Sequence, residues 1–144
     1  MFSMGESKLR LLPLPLIYLI LHQSTLVNGQ GSQQLQVNQT LSISSNSLPN
    51  PPSFAIPSSS TPLTVSVALC SAASSGSPRF FVTNDSSDRS PAPNSGSDVF
   101  EILIGQNGYG SFTLSSVKNG GWFGVVPGSD QLTFEVGLGQ NSMC

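Results

Sequence analysis

The chain is poor in charge, in histidine, in cysteine and in long apolar runs, and each shortage closes off a class of function. Only 8% of its 144 residues are charged, against about a quarter in an ordinary soluble domain. Its surface must therefore be built from hydroxyls and amides. The five basic residues are scattered along the chain, with no cluster that would neutralise phosphates, so nucleic acid is not an expected partner. The single histidine, His22, lies in an N-terminal segment that is expected to be removed. Without an imidazole, Ser-His-Asp and Cys-His catalysis and His-based zinc sites all fall away. The longest apolar run covers residues 11–21 (LLPLPLIYLIL) and is interrupted by Pro13 and Pro15, whereas a spanning helix needs about 20 residues. No later segment is long and apolar enough, so the mature chain is not expected to span a bilayer.

What the N-terminus does carry is a targeting pattern. Lys8 and Arg10 form a basic region ahead of the apolar run, and Val27-Asn28-Gly29 then offers residues suited to cleavage before Gln30. Residues 1–29 read as a signal peptide, which places the protein in the secretory pathway. It is then expected at the outer face of the plasma membrane, in the endoplasmic reticulum lumen, or outside the cell. The mature chain keeps three basic and six acidic residues, a net charge of −3.

Residues 42–62 hold nine Ser or Thr and five Pro. By composition this is a stalk that buries too little apolar surface to offset its ordering entropy. Just before it, Leu35, Val37, Leu41 and Ile43 share one parity, which suggests an early strand docking at a sheet edge. From Leu63 the period becomes two. Leu63, Val65, Val67 and Leu69 alternate with Thr64, Ser66 and Ala68; further strands are expected at 79–83, 98–105, 111–116, 122–126 and 131–138. In the fourth-to-last of these runs Phe100, Ile102 and Ile104 oppose Glu101, and in the last Leu132, Phe134, Val136 and Leu138 oppose Glu135. Asn107-Gly108 and Asn119-Gly120-Gly121 are chemistry for tight hairpins, and 127–130 (PGSD) is another turn. The expected fold is all-β: a single antiparallel sandwich, jelly-roll-like, over residues 54–140. A flexible Ser/Pro-rich segment with a candidate edge strand precedes it at 30–53, and a short tail follows at 141–144. One connection, residues 84–97 (NDSSDRSPAPNSGS), is long and polar and reads as a mobile, exposed excursion.

Few residues in this chain are candidates for chemistry. Cys70 and Cys144 are the only cysteines, and an oxidising compartment invites a disulfide. Either they bond to each other, or Cys144 stays free or pairs beyond the chain. Asn38-Gln39-Thr40 and Asn84-Asp85-Ser86 are N-glycosylation sequons. The run 105–110 (GQNGYG) superficially suggests a phosphate loop, but a strand follows it where such a loop needs a helix. Asp85, Asp88 and Asp98 flank the long loop; their spacing is not that of a calcium loop, and solvated carboxylates are the plainer reading. An exposed polar loop also would not tune them as an acid–base pair. No metal, cofactor or catalytic residue is expected, and the chain does not read as an enzyme. Trp122 and Phe123 are adjacent on a strand, so one must face the core and the other the outer surface. The outward one is either a partner anchor or, more commonly, packed under a loop.

Three segments together resemble the fungal stretch-activated calcium-channel accessory subunits, the Mid family. They are Leu63-Thr-Val-Ser-Val-Ala-Leu-Cys70, Pro78-Arg-Phe-Phe-Val-Thr-Asn-Asp-Ser-Ser87, and Asn119-Gly-Gly-Trp-Phe-Gly-Val-Val126 followed by Leu132-Thr-Phe-Glu-Val-Gly-Leu-Gly139. The resemblance spans about residues 55–140 and rests on the order of the segments. It implies a glycosylated extracytosolic subunit that binds the pore-forming subunit of a calcium channel and supports stress-activated calcium entry without catalysis. Family members continue into a cysteine-rich C-terminal region, and this sequence stops at Cys144. The competing expectation is a secreted or wall-associated binding module whose partners are cell-wall glycans.

Overall fold

A computed structural model describes residues 33–139, so the signal-peptide reading, Cys144 and the 141–144 tail lie outside the described residues. All regular structure among those residues is strand: β1 (Gln33–Gln34), β2 (Gln39–Ser44), β3 (Ser53–Ile56), β4 (Leu63–Leu69), β5 (Arg79–Thr83), β6 (Val99–Ile102), β7 (Tyr109–Leu114), β8 (Gly121–Val126) and β9 (Thr133–Leu138). They form a five-stranded sheet, β1-β3-β8-β5-β6, packed on a four-stranded sheet, β2-β9-β4-β7. Every pairing is antiparallel except that of β1 with β3. The expected all-β sandwich is what the chain forms.

Period-two alternation does the packing. Phe54, Ile56, Phe80, Val82, Ile102, Phe123 and Val125 point inward from the five-stranded sheet. Ile43, Leu63, Val65, Val67, Leu69, Leu114, Phe134, Val136 and Leu138 meet them from the other, and all are buried. Aromatic rings lock the centre: Phe80 lies 5.9 Å from Phe123 and 4.9 Å, edge-on, from Phe134 across the gap between sheets. Burying each such ring is worth about 1.5–3 kcal/mol, and edge-to-face contact adds to it.

Three expectations require correction. Residues 33–53, expected to be a flexible Ser/Pro-rich segment with a candidate edge strand, belong to the domain, and the candidate strand is present as β2. Leu35 and Ile43 sit in the core, Ser53 is fully buried, and β2 pairs with β9 over its whole length. The alternation at 35–43 signalled the edge strand, whereas the Ser- and Pro-rich composition of 44–53 concealed that the chain stays with the domain up to β3. Of the four-residue stripe, Leu35 and Ile43 are buried while Val37 is 46% exposed, since the chain passes from one sheet to the other between β1 and β2. The second correction concerns connectivity. The turns at Asn107-Gly108 and Asn119-Gly120 exist, with Gly108 and Gly120 at φ +80° and +83°. They do not close hairpins, however: β6, β7 and β8 alternate between sheets. Only β5 and β6 are both consecutive and paired.

The run at 98–105 is also shorter than expected. Strand β6 ends at Ile102, where the chain folds into the turn closed by Gly105 N–H donating to the Tyr109 carbonyl at 2.9 Å. Leu103 is thereby turned out to solvent.

Candidate interaction surfaces

The long polar connection 84–98 is not a free excursion. It folds back over the outer face of the five-stranded sheet, held by three separate contacts. The Trp122 indole N–H donates to the Ser86 carbonyl at 3.0 Å, and the hydroxyl of fully buried Ser53 donates to the Arg89 carbonyl at 2.6 Å. The third contact is steric. A side-chain carbon at Gly124 would collide with the Pro91 carbonyl oxygen, and would meet the proline ring carbons at 3.0 and 3.1 Å. Gly124 therefore supplies the space into which Pro91 settles. Phe81, the cross-strand partner of Gly124, points outward yet is only 3% exposed, as expected under such a cover.

The aromatic pair of β8 divides as alternation requires. Phe123 points inward and is fully buried, so it is withdrawn as a partner-surface residue. Trp122 points outward but is half-buried, with the Arg89 guanidinium 5.1 Å from its ring centroid. It packs under the loop, which was the plainer of the two sequence readings, and its ring is not an open anchor.

Asn38 and Asn84 both lie exposed, at the β1–β2 connection and just after β5. Asn38 has φ +63° and its backbone N–H donates to Leu138; the Asn84 amide reaches the Ser116 carbonyl at 3.5 Å. Asp85 is turned on its own loop: its carboxylate accepts from the Ser87 hydroxyl at 2.6 Å and the Ser87 N–H at 2.9 Å. Those bonds, the hydroxyl's first, hold its pKa below the ordinary value. Asp88 accepts from the Ser95 hydroxyl, and Asp98 is exposed before β6. Among the described residues no three acidic, cysteine or histidine side chains converge as a metal site. Cys70 is exposed at the end of β4 and is disulfide-bonded.

Two features were not singled out from the sequence. At one open side of the sandwich, Phe100 of β6 stacks on Phe112 of β7 with ring centroids 4.8 Å apart, closing the gap between the sheets. Phe100 remains 40% exposed and Leu103 beside it 77%, an apolar patch along two open strand edges. The sequence signal was the unbroken Ile102-Leu103-Ile104, in which one residue must face outward whatever the register. Flanking it, Arg79 and Glu101 form a surface ion pair at 2.6 Å, which raises the guanidinium pKa further, chiefly through its hydrogen bond to Glu101.

At the opposite open side, between β1 and β2, no aromatic pair closes the gap among the described residues. It holds a cleft of about 290 Å³ lined by glutamine amides over an aliphatic floor. Gln33, one of the lining residues, has its Oε1 closed off from solvent without a hydrogen-bond partner.

No protein-family model matches this chain, and no curated protein matches it in sequence. The fold and these surfaces define an antiparallel β-sandwich with a loop-covered face, an apolar edge and an amide-lined cleft.

Proposed function

We propose that this protein is an extracytosolic accessory subunit of a calcium channel, acting by binding the pore-forming subunit and supporting stress-activated calcium entry without catalysing a reaction. The observation that carries this reading is where the segments of resemblance fall. They form four of the five interior strands: β4 and β9 of one sheet, β5 and β8 of the other. A resemblance confined to loops would carry no comparable weight, because strand order determines the sandwich. The apolar edge of Phe100 and Leu103 is the surface offered to that partner, since exposed apolar residues beside unpaired strand edges favour protein association. Signal-directed export and glycans at Asn38 and Asn84 belong to the same reading.

The test is affinity purification of the tagged protein from gently solubilised host membranes, followed by mass spectrometry. Co-recovery of a four-repeat calcium-channel pore subunit, reduced by Leu103→Asp, is the expected outcome. Full export to medium or wall with no pore subunit recovered would overturn it.

A further inference from the structure

We infer that Asn119-Gly120 is a site of spontaneous modification: the Asn119 carboxamide is converted to aspartate and isoaspartate, while the matching pair Asn107-Gly108 is protected by the fold. The inference stands apart from the channel reading, because it rests on the geometry of two turns alone.

The chemistry needs an asparagine followed by a residue that leaves its backbone nitrogen uncrowded. That nitrogen attacks the asparagine Cγ. An N–Cγ bond forms, the Cγ–Nδ2 bond breaks, and Nδ2 leaves as ammonia with the proton of the peptide N–H. Water then opens the cyclic imide. Attack of water at Cγ restores the normal backbone with an aspartate; attack at the main-chain carbonyl leaves the chain running through the side chain, as isoaspartate. One amide and one water give one carboxylate and one ammonium, with no change of oxidation state. Glycine favours the first step because it carries no β-carbon.

The two pairs occupy equivalent places. Each asparagine is the last but one residue of a tight turn, 105–108 or 117–120, and both are exposed. Each glycine that ends a turn has positive φ, +80° at Gly108 and +83° at Gly120. Their surroundings differ. The Asn107 Oδ1 accepts the Tyr109 N–H at 3.2 Å, which holds the carboxamide to its turn. The Gly108 N–H donates to the Gly105 carbonyl at 2.9 Å, and the Gly108 carbonyl accepts the Leu69 N–H at 2.7 Å. Gly108 is also buried. Bringing its nitrogen onto the Asn107 Cγ breaks these bonds. At the second turn the base is what is held: Val117 exchanges backbone hydrogen bonds with Ser59 at 2.7 and 3.0 Å. Among the described residues the Asn119 carboxamide has no hydrogen-bond partner, and Gly120 is half-buried. The carboxamide can turn onto the Gly120 nitrogen without giving up a contact, and water reaches it.

The product matters because of where it forms. Asn119 lines a surface hollow with Asn84, Asp85, Asp98 and Lys118. A carboxylate at position 119 adds negative charge to two aspartates faced by one lysine, beside the Asn84 sequon. The isoaspartyl form also lengthens the main chain just ahead of β8. There Gly121 is tightly seated: a side-chain carbon on it would collide with the Thr83 carbonyl oxygen. The added backbone carbon therefore disturbs the start of β8, where it pairs with β3 and β5.

The experiment is a timed incubation of the purified full chain at mildly alkaline pH, folded and in urea, followed by chymotryptic digestion and mass spectrometry. Cleavage after Leu103 and Tyr109 isolates Asn107, and cleavage after Leu114 and Trp122 isolates Asn119. In the folded protein, conversion at Asn119 should be at least about tenfold faster than at Asn107, the factor expected when hydrogen bonds must break first. In urea the two rates should draw together. Asn119→Gln should remove the leading acidic species that isoelectric focusing resolves as the parent ages. The aged parent, unlike the aged variant, should also unfold at lower urea. The inference is overturned if Asn107 converts as fast as Asn119 in the folded chain, if neither converts, or if the same ratio persists in urea. It is equally overturned if ageing leaves the parent's urea midpoint at that of the variant.

Discussion

Gly124→Ala tests whether the 84–98 loop is a fixed part of the sandwich. The added carbon would collide with the Pro91 carbonyl oxygen, with the ring carbons at 3.0 and 3.1 Å. Because the nearest contact is backbone, truncating the ring by Pro91→Ala does not restore the space. The loop must lift. Lifting loses the Trp122–Ser86 and Ser53–Arg89 hydrogen bonds, about 1 kcal/mol each. It also uncovers part of the outer face around Phe81, whose ring keeps the Arg79 guanidinium 5.1 Å from its centroid, for up to roughly 1.5 kcal/mol. Conformational freedom regained by the loop offsets part of this, leaving a net destabilisation of about 2 kcal/mol and a Tm lower by roughly 10 °C. The assay is local as well as global. Trp122 is the only tryptophan in the chain, so its emission should shift to the red as the indole loses its cover. Trypsin should cut after Arg89 much faster than in the parent, while cleavage after Arg79, inside β5, changes far less. Unchanged emission, unchanged cleavage at Arg89 and an unchanged Tm would show that Gly124 is not the seat of the loop.

Four further outcomes are expected. Phe123→Ala, which removes a fully buried ring packed against Phe54 and Phe80, should cost about 3–5 kcal/mol in urea unfolding; Glu101→Gln, at the exposed ion pair with Arg79, should leave the urea midpoint nearly unchanged. Ser87→Ala should return the lowered Asp85 pKa toward 3.8, read by carboxyl NMR titration. With the folded pKa below the unfolded one, the contribution of Asp85 is present above pH 3.8 and is lost as pH falls through the lower folded value. Cys70 is disulfide-bonded and Cys144 is the only other cysteine of the sequence. Cys70→Ser should therefore destabilise the chain by about 2–4 kcal/mol, and reduction should lower the Tm of the parent but leave that of the variant unchanged.

What the sequence determined by itself was the material of the fold. The alternation of Leu63, Val65, Val67 and Leu69 produced β4 within its expected bounds, as did the runs at 79–83 and 122–126 for β5 and β8, give or take a residue. These are local properties: a side chain's face follows from its parity, and a turn follows from a glycine that tolerates positive φ. Parity does not say which sheet a strand joins. Asn107-Gly108 looks like a hairpin in sequence, yet it carries the chain from one sheet to the other, because pairing is decided by partners distant in the chain. The same limit hid the sites. Gly124 and Pro91 meet only after the loop folds back, and a polar composition gave no sign that it would. Asn107 and Asn119 carry the same signal in sequence, and only packing against β4 pins the first. Local pattern decided which residues face a core; tertiary packing decided which surfaces remained open for function.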